Sequence, residues 1–498
     1  MKLVISEKPS LGKAIANVLG ATKKHDGYLS GSNYVVSWCV GHLVSSAMPE
    51  DYDARYKQWR YEDLPILPKE WKYNVSEQTR KQYQTLSKLM HDKQIDSIVC
   101  ATDAGREGEL IFRLVYEQAG CQLPVERLWI SSLEQDAIRQ GFQSLKDGHA
   151  YDALYQAALC REHADWIVGM NATRLYSLLY GRTLKIGRVM SPTLAMIVGR
   201  EDAIREFEPE KFYTVQLNGD CTVQSERVSD RMAAEHLRNQ CEGQTAVVRS
   251  VEQKQRSEQP PKLYDLTTLQ RDANRIYGYT AQQTLDYTQA LYEKRLLTYP
   301  RTDSQYLTHE MSDALPSLIQ CVSQAFPFTA GMQLPVHPDQ VIDDKKVSDH
   351  HAIIPTQEAA KPHDALPSGE KDILMLVAIR LMCAVGDPCI NDDTAITVSC
   401  CGHSFTTKGR ATVQIGWRAP WNTFKGSLGT RGTFDEEKDA PIRSGLREGA
   451  FFVPVSTAVK EGSTTAPHRY TEGTILAAME VAGSKDMPED AERKGIGT

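Results

Sequence analysis

The chain has 498 residues, 41% hydrophobic and 24% charged, with 57 basic against 64 acidic side chains and a formal charge of −7. That length exceeds what one core organises and predicts about three or four domains of ordinary globular composition, not a disordered or fibrous chain. No run of about 18 apolar residues indicates a membrane span, and the negative average argues against a surface coated for nucleic acid while leaving room for a local basic groove.

Met1-Lys2-Leu3-Val4-Ile5-Ser6-Glu7 reads as a strand, without the long apolar stretch and small-residue cleavage site of a secretory leader. A cytoplasmic protein is therefore expected. After a first strand at 3–5, Pro9-Ser10 offers a turn and an N-cap for a helix over 11–19. A second strand, 95–101, runs through Thr102-Asp103-Ala104-Gly105 into a helix with Leu110, Ile111, Leu114 and Val115 on one face. A third, 127–130, precedes a helix at 133–142. Such alternation predicts a parallel sheet covered by helices over residues 1–150.

From 151 the pattern is helical, first over 151–170 and then through Gly187-Arg188 to Ile197. Alternation over 212–251 predicts β structure, helical periodicity returns over 262–387, β signals over 388–457, and a helix over 470–482. The order α/β, α, β, α, β, α predicts a chain that leaves a domain and returns to it. Residues 207–261 and 388–457 would form one β-rich arch enclosing an inserted helical domain, 262–387. A helical domain would be made from 151–206 with 458–498. A side chain on the inserted domain could then swing away from the first domain.

The eleven cysteines include no C-x-x-C pair, and the adjacent Cys400 and Cys401 suit neither a zinc ribbon nor a simple disulfide. They are expected to be small buried residues in a reducing compartment, with no zinc module. The acid runs Asp435-Glu436-Glu437 and Pro488-Glu489-Asp490 read as solvated loops.

Chemistry concentrates in two places. In Leu297-Thr298-Tyr299-Pro300-Arg301-Thr302-Asp303-Ser304 a tyrosine stands two residues before an arginine. A phenol, with its ordinary pKa of about 10, is a poor nucleophile. A guanidinium beside it is expected to lower that value and to hold a phosphate by paired hydrogen bonds. The second place is acidic: Glu7 after the first strand, and Asp103, Glu107 and Glu109 after a later one. Residues just beyond the carboxyl ends of strands line the crevice of an open α/β sheet, and carboxylates gathered there suit Mg²⁺. For Glu109 the structural alternative, an acid placed for the helix dipole, is preferred.

Ser6-Glu7-Lys8-Pro9-Ser10 with Asp103-Ala104-Gly105-Arg106-Glu107-Gly108-Glu109 resembles the Toprim domain shared by topoisomerases, primases and some nucleases. The Thr298–Ser304 run resembles the active-site motif of type IA topoisomerases. Further matches follow in order: Gly187-Arg188-Val189-Met190-Ser191-Pro192-Thr193, Thr267-Thr268-Leu269-Gln270, Ser348-Asp349-His350-His351-Ala352-Ile353-Ile354-Pro355-Thr356, and Tyr470-Thr471-Glu472-Gly473-Thr474. Ser6-Glu7-Lys8-Pro9-Ser10 and His350-His351-Ala352-Ile353-Ile354-Pro355 point to the bacterial topoisomerase III branch.

The resemblance implies a multidomain α/β plus α and β fold, in which a Rossmann-like Toprim sheet is followed by helical and β-rich domains arranged as a toroid. It implies that Tyr299 attacks single-stranded DNA to form a 5′-phosphotyrosyl link, so that resealing needs no ATP. Arg301 would hold the scissile phosphate, Lys8 would stabilise or protonate the leaving oxygen, Glu7 would act as general acid/base, and His350 would hydrogen-bond the phosphate or relay a proton. Glu7, Asp103 and Glu107 would hold Mg²⁺. Arg161, Asp165, Arg188 and Ser191 would contact DNA, the alternative for Arg161 and Asp165 being an intrahelical ion pair. Trp417 and Trp421 could stack on bases, with core packing preferred.

The implied partners are single-stranded DNA, negatively supercoiled or linked duplex, and a helicase or single-strand-binding protein, with the chain acting as a monomer. Two departures stand out. Gly105 replaces a second aspartate, which predicts looser Mg²⁺ binding, and the chain stops at Thr498 inside a motif the family continues, the rest of that helical domain and any C-terminal DNA-binding tail being missing from it. The alternatives are a Toprim-type Mg²⁺ nuclease and a DNA-binding relic without full activity.

Overall fold

The computed structural model describes residues 1–498 except 132, 330–331, 333–334, 348–349, 362–364, 430–445, 455, 484–494 and 497–498. The two acid runs read as loops lie outside the described residues, as do Ser348, Asp349, Val455, Lys494, Gly497 and Thr498.

The N-terminal part builds strands β1 (Lys2–Ser6), β2 (Lys23–His25), β3 (Tyr28–Ser30), β4 (Tyr34–Trp38), β5 (Val44–Ser46), β6 (Tyr73–Val75), β7 (Ser97–Ala101), β8 (Val125–Arg127) and β9 (Lys146–Asp147). Helices α1 (Pro9–Leu19), α2 (Pro49–Tyr52), α3 (Arg80–Met90), α4 (Arg106–Gln118) and α5 (Gln135–Gln143) are interleaved with them. The sheet order is β2-β3-β4-β1-β7-β8-β9, with β5 and β6 paired apart. β1 runs parallel to β4 and β7, and β7 parallel to β8. Both faces are covered, so the central strands are continuous apolar runs. Leu3, Ile5, Ile98 and Cys100 face one core with Leu110, Ile111 and Leu114. Val4, Val36 and Val99 face another with Leu11 and Ile15, and this second core also takes in Tyr292 and Tyr299.

Two boundaries differ from the sequence reading. α1 starts at Pro9, and Lys8 occupies its N-cap without a side-chain bond, so Ser10 is inside the helix; proline's fixed φ suits the first helical position. The third strand ends at Arg127 because that side chain turns inward to the carbonyls ending β7.

Helices α6 (Asp152–Tyr180) and α7 (Met190–Arg205) follow. α6 continues past 170 to a left-handed Gly181 (φ 63°), a residue that tolerates this helix-ending conformation. Gly187 and Arg188 lie in the connecting turn and not in a helix, because the Thr173 and Ser177 hydroxyls accept the Ile186 and Leu184 amides at 3.0 and 2.8 Å.

A second seven-stranded sheet comes from two separated stretches. Its strands are β10 (Lys211–Asn218), β11 (Thr222–Ser225), β12 (Ala246–Glu258), β13 (Cys389–Cys400), β14 (His403–Gln414), β15 (Phe451–Phe452) and β16 (Ser456–Ser463), in the order β15-β12-β13-β14-β11-β10-β16. β12 and β13 pair antiparallel from Ala246↔Cys400 to Glu258↔Cys389, so the chain departs and returns at facing residues. Helices interrupt both predicted β stretches. α8 (Arg231–Cys241) is capped by the Asp230 carboxylate at the Met232 and Ala233 amides. α13 (Arg418–Leu428) buries Phe424 and Leu428 in the neighbouring helical core.

Between the two stretches lie α9 (Leu266–Tyr277), α10 (Ala281–Glu293), α11 (Leu315–Ala325) and α12 (Ser368–Ala384), around a core that includes Leu269, Ile276, Leu291, Leu318, Ile373 and Val377. Thr268 of the Thr267–Gln270 motif closes a capping box with Asp265. Thr471 caps α14 (Glu472–Val481), and the amide of Gly473 donates to Asn274 Oδ1 at 3.0 Å, docking α14 on α9. Among the described residues no helix is long and apolar enough to cross a membrane.

Candidate active site at the strand ends

The carboxyl ends of β1, β7 and β8 converge. β1 delivers Glu7 and Lys8, and the Ser6 hydroxyl holds the Lys8 carbonyl at 3.0 Å. β7 delivers Asp103 on a tight turn into α4. Thr102 Oγ1 donates to the Gly108 carbonyl at 2.8 Å, and Gly108 packs so closely that an added Cβ would lie 2.1 Å from the Asp103 carbonyl oxygen. Gly108→Ala is therefore expected to lower stability by about 3 kcal/mol and to cut the DNA cleavage that the resemblance implies about 100-fold by displacing Asp103. Urea unfolding and a plasmid assay on the same preparation measure both, and unchanged values would remove the turn from the argument. Gly105 is extended (φ 177°), with open space where a side chain would stand.

Tyr299 arrives from the helical block. Its segment runs beside residues 350–356, with Leu297 bridged to Pro355. Thr298 N donates to the Ile354 carbonyl and Ile354 N to Thr298 Oγ1, both at 3.0 Å, and Thr302 Oγ1 donates to the His350 carbonyl at 2.8 Å. Ser304 Oγ donates to the Lys346 carbonyl at 2.8 Å. The Thr302 and Ser304 hydroxyls thus shape the loop. The Tyr299 amide donates to the Ser131 carbonyl at 3.2 Å, and its hydroxyl donates to Asp103 Oδ2 at 2.9 Å. Its ring stands edge-on to Tyr292, centroids 5.4 Å apart, and tilts against His350 at 4.2 Å.

The electrostatics correct one expectation. Burial first, then the charges of Asp103 and Glu7, push the Tyr299 phenol well above its usual range, and Arg301 opposes this only weakly. Arg301 is exposed, so water screens it, whereas the carboxylates act across a dry contact. The phenol is therefore fully protonated in this closed arrangement. Glu7 is raised to about 7, by burial first and then by Asp103, against Lys8 and Arg301. His350 is pushed down to about 3, chiefly by burial and then by His351 and Arg127. It is neutral near pH 7 and unsuited to relay a proton there. Its Nδ1 meets Ser131 Oγ at 3.0 Å, and its buried Nε2 makes no regular hydrogen bond, the Ala104 backbone being its polar neighbour. His351 is buried, bonded to the Ala352 carbonyl at 2.8 Å and shifted down by burial.

Glu107 stands apart. Its side chain is 62% exposed and meets His42 Nε2 at 2.7 Å. That hydrogen bond lowers its pKa, with help from the charges of His42, Arg161 and Arg301. Among the described residues Glu7, Asp103 and Glu107 do not gather at the spacing of one ligand sphere. The Glu7 and Asp103 pair fits a divalent cation by donor chemistry, since the mutual repulsion that raises Glu7 is what a cation relieves. Glu109 is buried between Arg127 Nε at 3.0 Å and Arg113 Nε at 2.8 Å, an internal counter-ion and not a ligand.

Of the DNA-contact candidates, Asp165 and Arg188 are exposed and Arg161 and Ser191 half-buried. Asp165 pairs mainly with Arg188 Nε at 2.6 Å and more loosely with Arg161 Nε at 3.9 Å. Ser191 Oγ accepts the Gly187 amide at 3.1 Å, which fixes the start of α7. Trp417 and Trp421 pack against the helical core, and Trp417 Nε1 donates to the Glu258 carbonyl at 3.3 Å.

Sequence reasoning missed Arg127, His42, Ser131 and Tyr292. Arg127 is 1% exposed and donates to the carbonyls of Cys100, Thr102, Leu128 and Asp103, at 3.1, 2.8, 2.8 and 2.7 Å. Its guanidinium also lies 5.1 Å from the Trp129 ring. A lone arginine at the end of a strand in an α/β pattern was the available signal. His42 and Ser131 carried none.

A family model described as DNA topoisomerase matches residues 149–498, and one described as Toprim domain matches residues 2–133. The chain is 37% identical over 520 residues to the DNA topoisomerase 3 of Shouchella clausii, covering 100% of this chain and 70% of that one. It is 38% identical over 488 residues to the DNA topoisomerase 3 of Staphylococcus saprophyticus, covering 96% and 67%. Its fold is similar to full-length topoisomerase I from Thermotoga maritima, with a TM-score of 0.71 at 21% identity, over 96% of this chain and 75% of that one.

Proposed function

The chain belongs to the DNA topoisomerase family, as a type IA enzyme of the topoisomerase III branch with a Toprim domain, and from that premise we infer that Tyr299 is its nucleophile and that Glu7, Lys8, Asp103, Arg301 and His350 serve it. The observation that carries this reading is the 2.9 Å bond from the Tyr299 hydroxyl to Asp103, which joins two motifs far apart in sequence. A phenol held among carboxylates at strand ends has little purpose in a passive binding protein.

In the proposed reaction the Tyr299 oxygen forms a bond to phosphorus as the bond from phosphorus to the 3′-oxygen breaks. The phenolic proton leaves towards the carboxylates and a proton is returned to the 3′-oxygen, so resealing is the same exchange reversed and no ATP is spent. Glu7, at about 7, populates both forms near neutrality and suits the acid/base role. Arg301, exposed beside the tyrosine, holds the phosphate; Lys8, at the start of α1, neutralises the leaving oxygen. The neutral His350 offers Nε2 as a hydrogen-bond partner to the phosphate. Glu7 and Asp103 would hold Mg²⁺, Glu107 joining them on leaving His42, and the missing carboxylate at Gly105 favours loose binding. When bound, Mg²⁺ supplies positive charge that offsets carboxylate repulsion and steadies the 3′ end.

Arg161, Arg188 and Ser191 would meet the backbone of a single strand, with Asp165 released from Arg188 as phosphate takes its place. Residues 1–150, 151–206 with 458–498, 207–261 with 388–457, and 262–387 are read as four domains. We read the chain as a monomer acting in the cytoplasm on negatively supercoiled or linked DNA, with single strands supplied by a helicase or single-strand-binding protein. The test uses a short single-stranded oligonucleotide with Mg²⁺, labelled at either end and run on a denaturing gel. The 3′-labelled fragment is expected to migrate with the protein and the 5′-labelled fragment to run free. Two free fragments would indicate a nuclease and end the tyrosine assignment.

A further inference from the structure

Far from these residues in the chain, the β10–β16 sheet carries a cluster of thiols. Cys241 is the last residue of α8, Cys400 the last of β13, and Cys401 the first of the two residues that turn β13 into β14. Their sulfur atoms all lie within 4.8 Å of one another, and among the described residues no other three His, Cys, Asp or Glu side chains meet at that spacing. Cys401 and Gly402 both have positive φ, 49° and 82°. That is the mirror-image turn that joins two strands tightly and that favours Asn-Gly. A cysteine in its place directs a thiol back to the end of α8, where Sγ lies 3.1 Å from the Gln240 carbonyl. Cys241 and Cys400 are buried and Cys401 is exposed.

We propose that Cys241, Cys400 and Cys401 form a binding site for one thiophilic d¹⁰ cation, Zn²⁺ or Cu⁺. Three sulfurs with no carboxylate or amine among them select soft metals. At a Zn–S distance of about 2.3 Å, tetrahedral ligands stand about 3.8 Å apart and trigonal ones about 4.0 Å. Closure therefore needs sulfur movements of less than about 1 Å, which a change of rotamer at the exposed Cys401 supplies. Two buried sulfurs give a dry floor and the third an entry path. Water completes a Zn²⁺ sphere from the exposed side; Cu⁺ is satisfied by three sulfurs.

Without metal, burial first and then the neighbouring thiols push Cys241 up to about 12, and burial raises Cys400. Uptake therefore displaces up to three thiol protons into solvent and strengthens as pH rises. The bound ion would clip the end of α8 to the β13–β14 hairpin.

Reduced full-length chain, stripped of metal by a chelator, is titrated with Cd²⁺, whose bonding to thiolate gives an ultraviolet charge-transfer band that carboxylate sites do not give. The band is expected to saturate at one Cd²⁺ per chain and to be erased by competing Zn²⁺. Affinity should fall at least about tenfold in Cys401→Ser and stay unchanged in Cys160→Ser, which replaces an exposed cysteine of α6. A parallel titration with Cu⁺ tells which ion binds more tightly. Absence of the band, a band indifferent to Cys401→Ser, or a disulfide among the three cysteines in place of metal uptake would each overturn the proposal.

Discussion

Tyr299→Phe abolishes relaxation of negatively supercoiled plasmid in Mg²⁺ without ATP, a loss of at least about 10,000-fold. The substitution removes the oxygen proposed to bond to phosphorus and keeps the ring. That ring stays wedged between Tyr292 and His350, so the fold loses little beyond the hydrogen bond to Asp103, about 2 kcal/mol or less. Single-strand binding, assigned by the proposal to Arg161 and Arg188, should match the parent chain. Full relaxation by the phenylalanine variant would place the nucleophile elsewhere. The protonated state of the buried phenol adds a condition to the proposed reaction: phosphate and cation would have to replace the carboxylate contacts that suppress its ionisation.

Arg127→Leu is the second large effect. It strips one guanidinium from the carbonyls of Cys100, Thr102, Leu128 and Asp103 and leaves Glu109, itself 1% exposed, with Arg113 alone. Breaking a buried pair by removing one partner costs about 3–5 kcal/mol. Urea denaturation should show that loss, and cleavage should fall with it because the Asp103 turn is no longer held. Adding Glu109→Gln removes the stranded charge and should restore part of the stability without restoring cleavage. A single variant within about 1 kcal/mol of the parent would show that the turn holds itself.

The two predictions differ in how far the sequence foretold them. Tyr299 and the acids were legible because chemistry and spacing are local: a tyrosine two residues before an arginine, carboxylates directly after apolar strands. β1 and β7 were legible as short continuous apolar runs. The sign of the Tyr299 shift was not, because it depends on burial against Asp103 and Glu7, brought together only by the fold. Arg127 was hidden for the same reason, since Cys100, Thr102, Asp103 and Glu109 come to it from β7, the turn after it and α4. His42 draws Glu107 away from the expected metal trio through one contact between distant segments. α13 did leave a trace: Pro420, Phe424 and Leu428, spaced by four, place three apolar residues on one helical face. It was masked by the strands on either side.

The facing pair Glu258 and Cys389 has one more consequence. Neighbouring strands lie about 5 Å apart, so the ends of the tyrosine-bearing block are separated by no more than a hairpin's width. In modular terms the block is a plug-in. Residues 259–388 leave the sheet with every strand pairing in place, a short turn rejoins the remainder, and the removed piece keeps its core except for Phe424 and Leu428, which α13 contributes from the remainder. The fold thus allows the nucleophile and the acids to be made as two polypeptides and recombined. The covalently trapped DNA would then mark the smaller one.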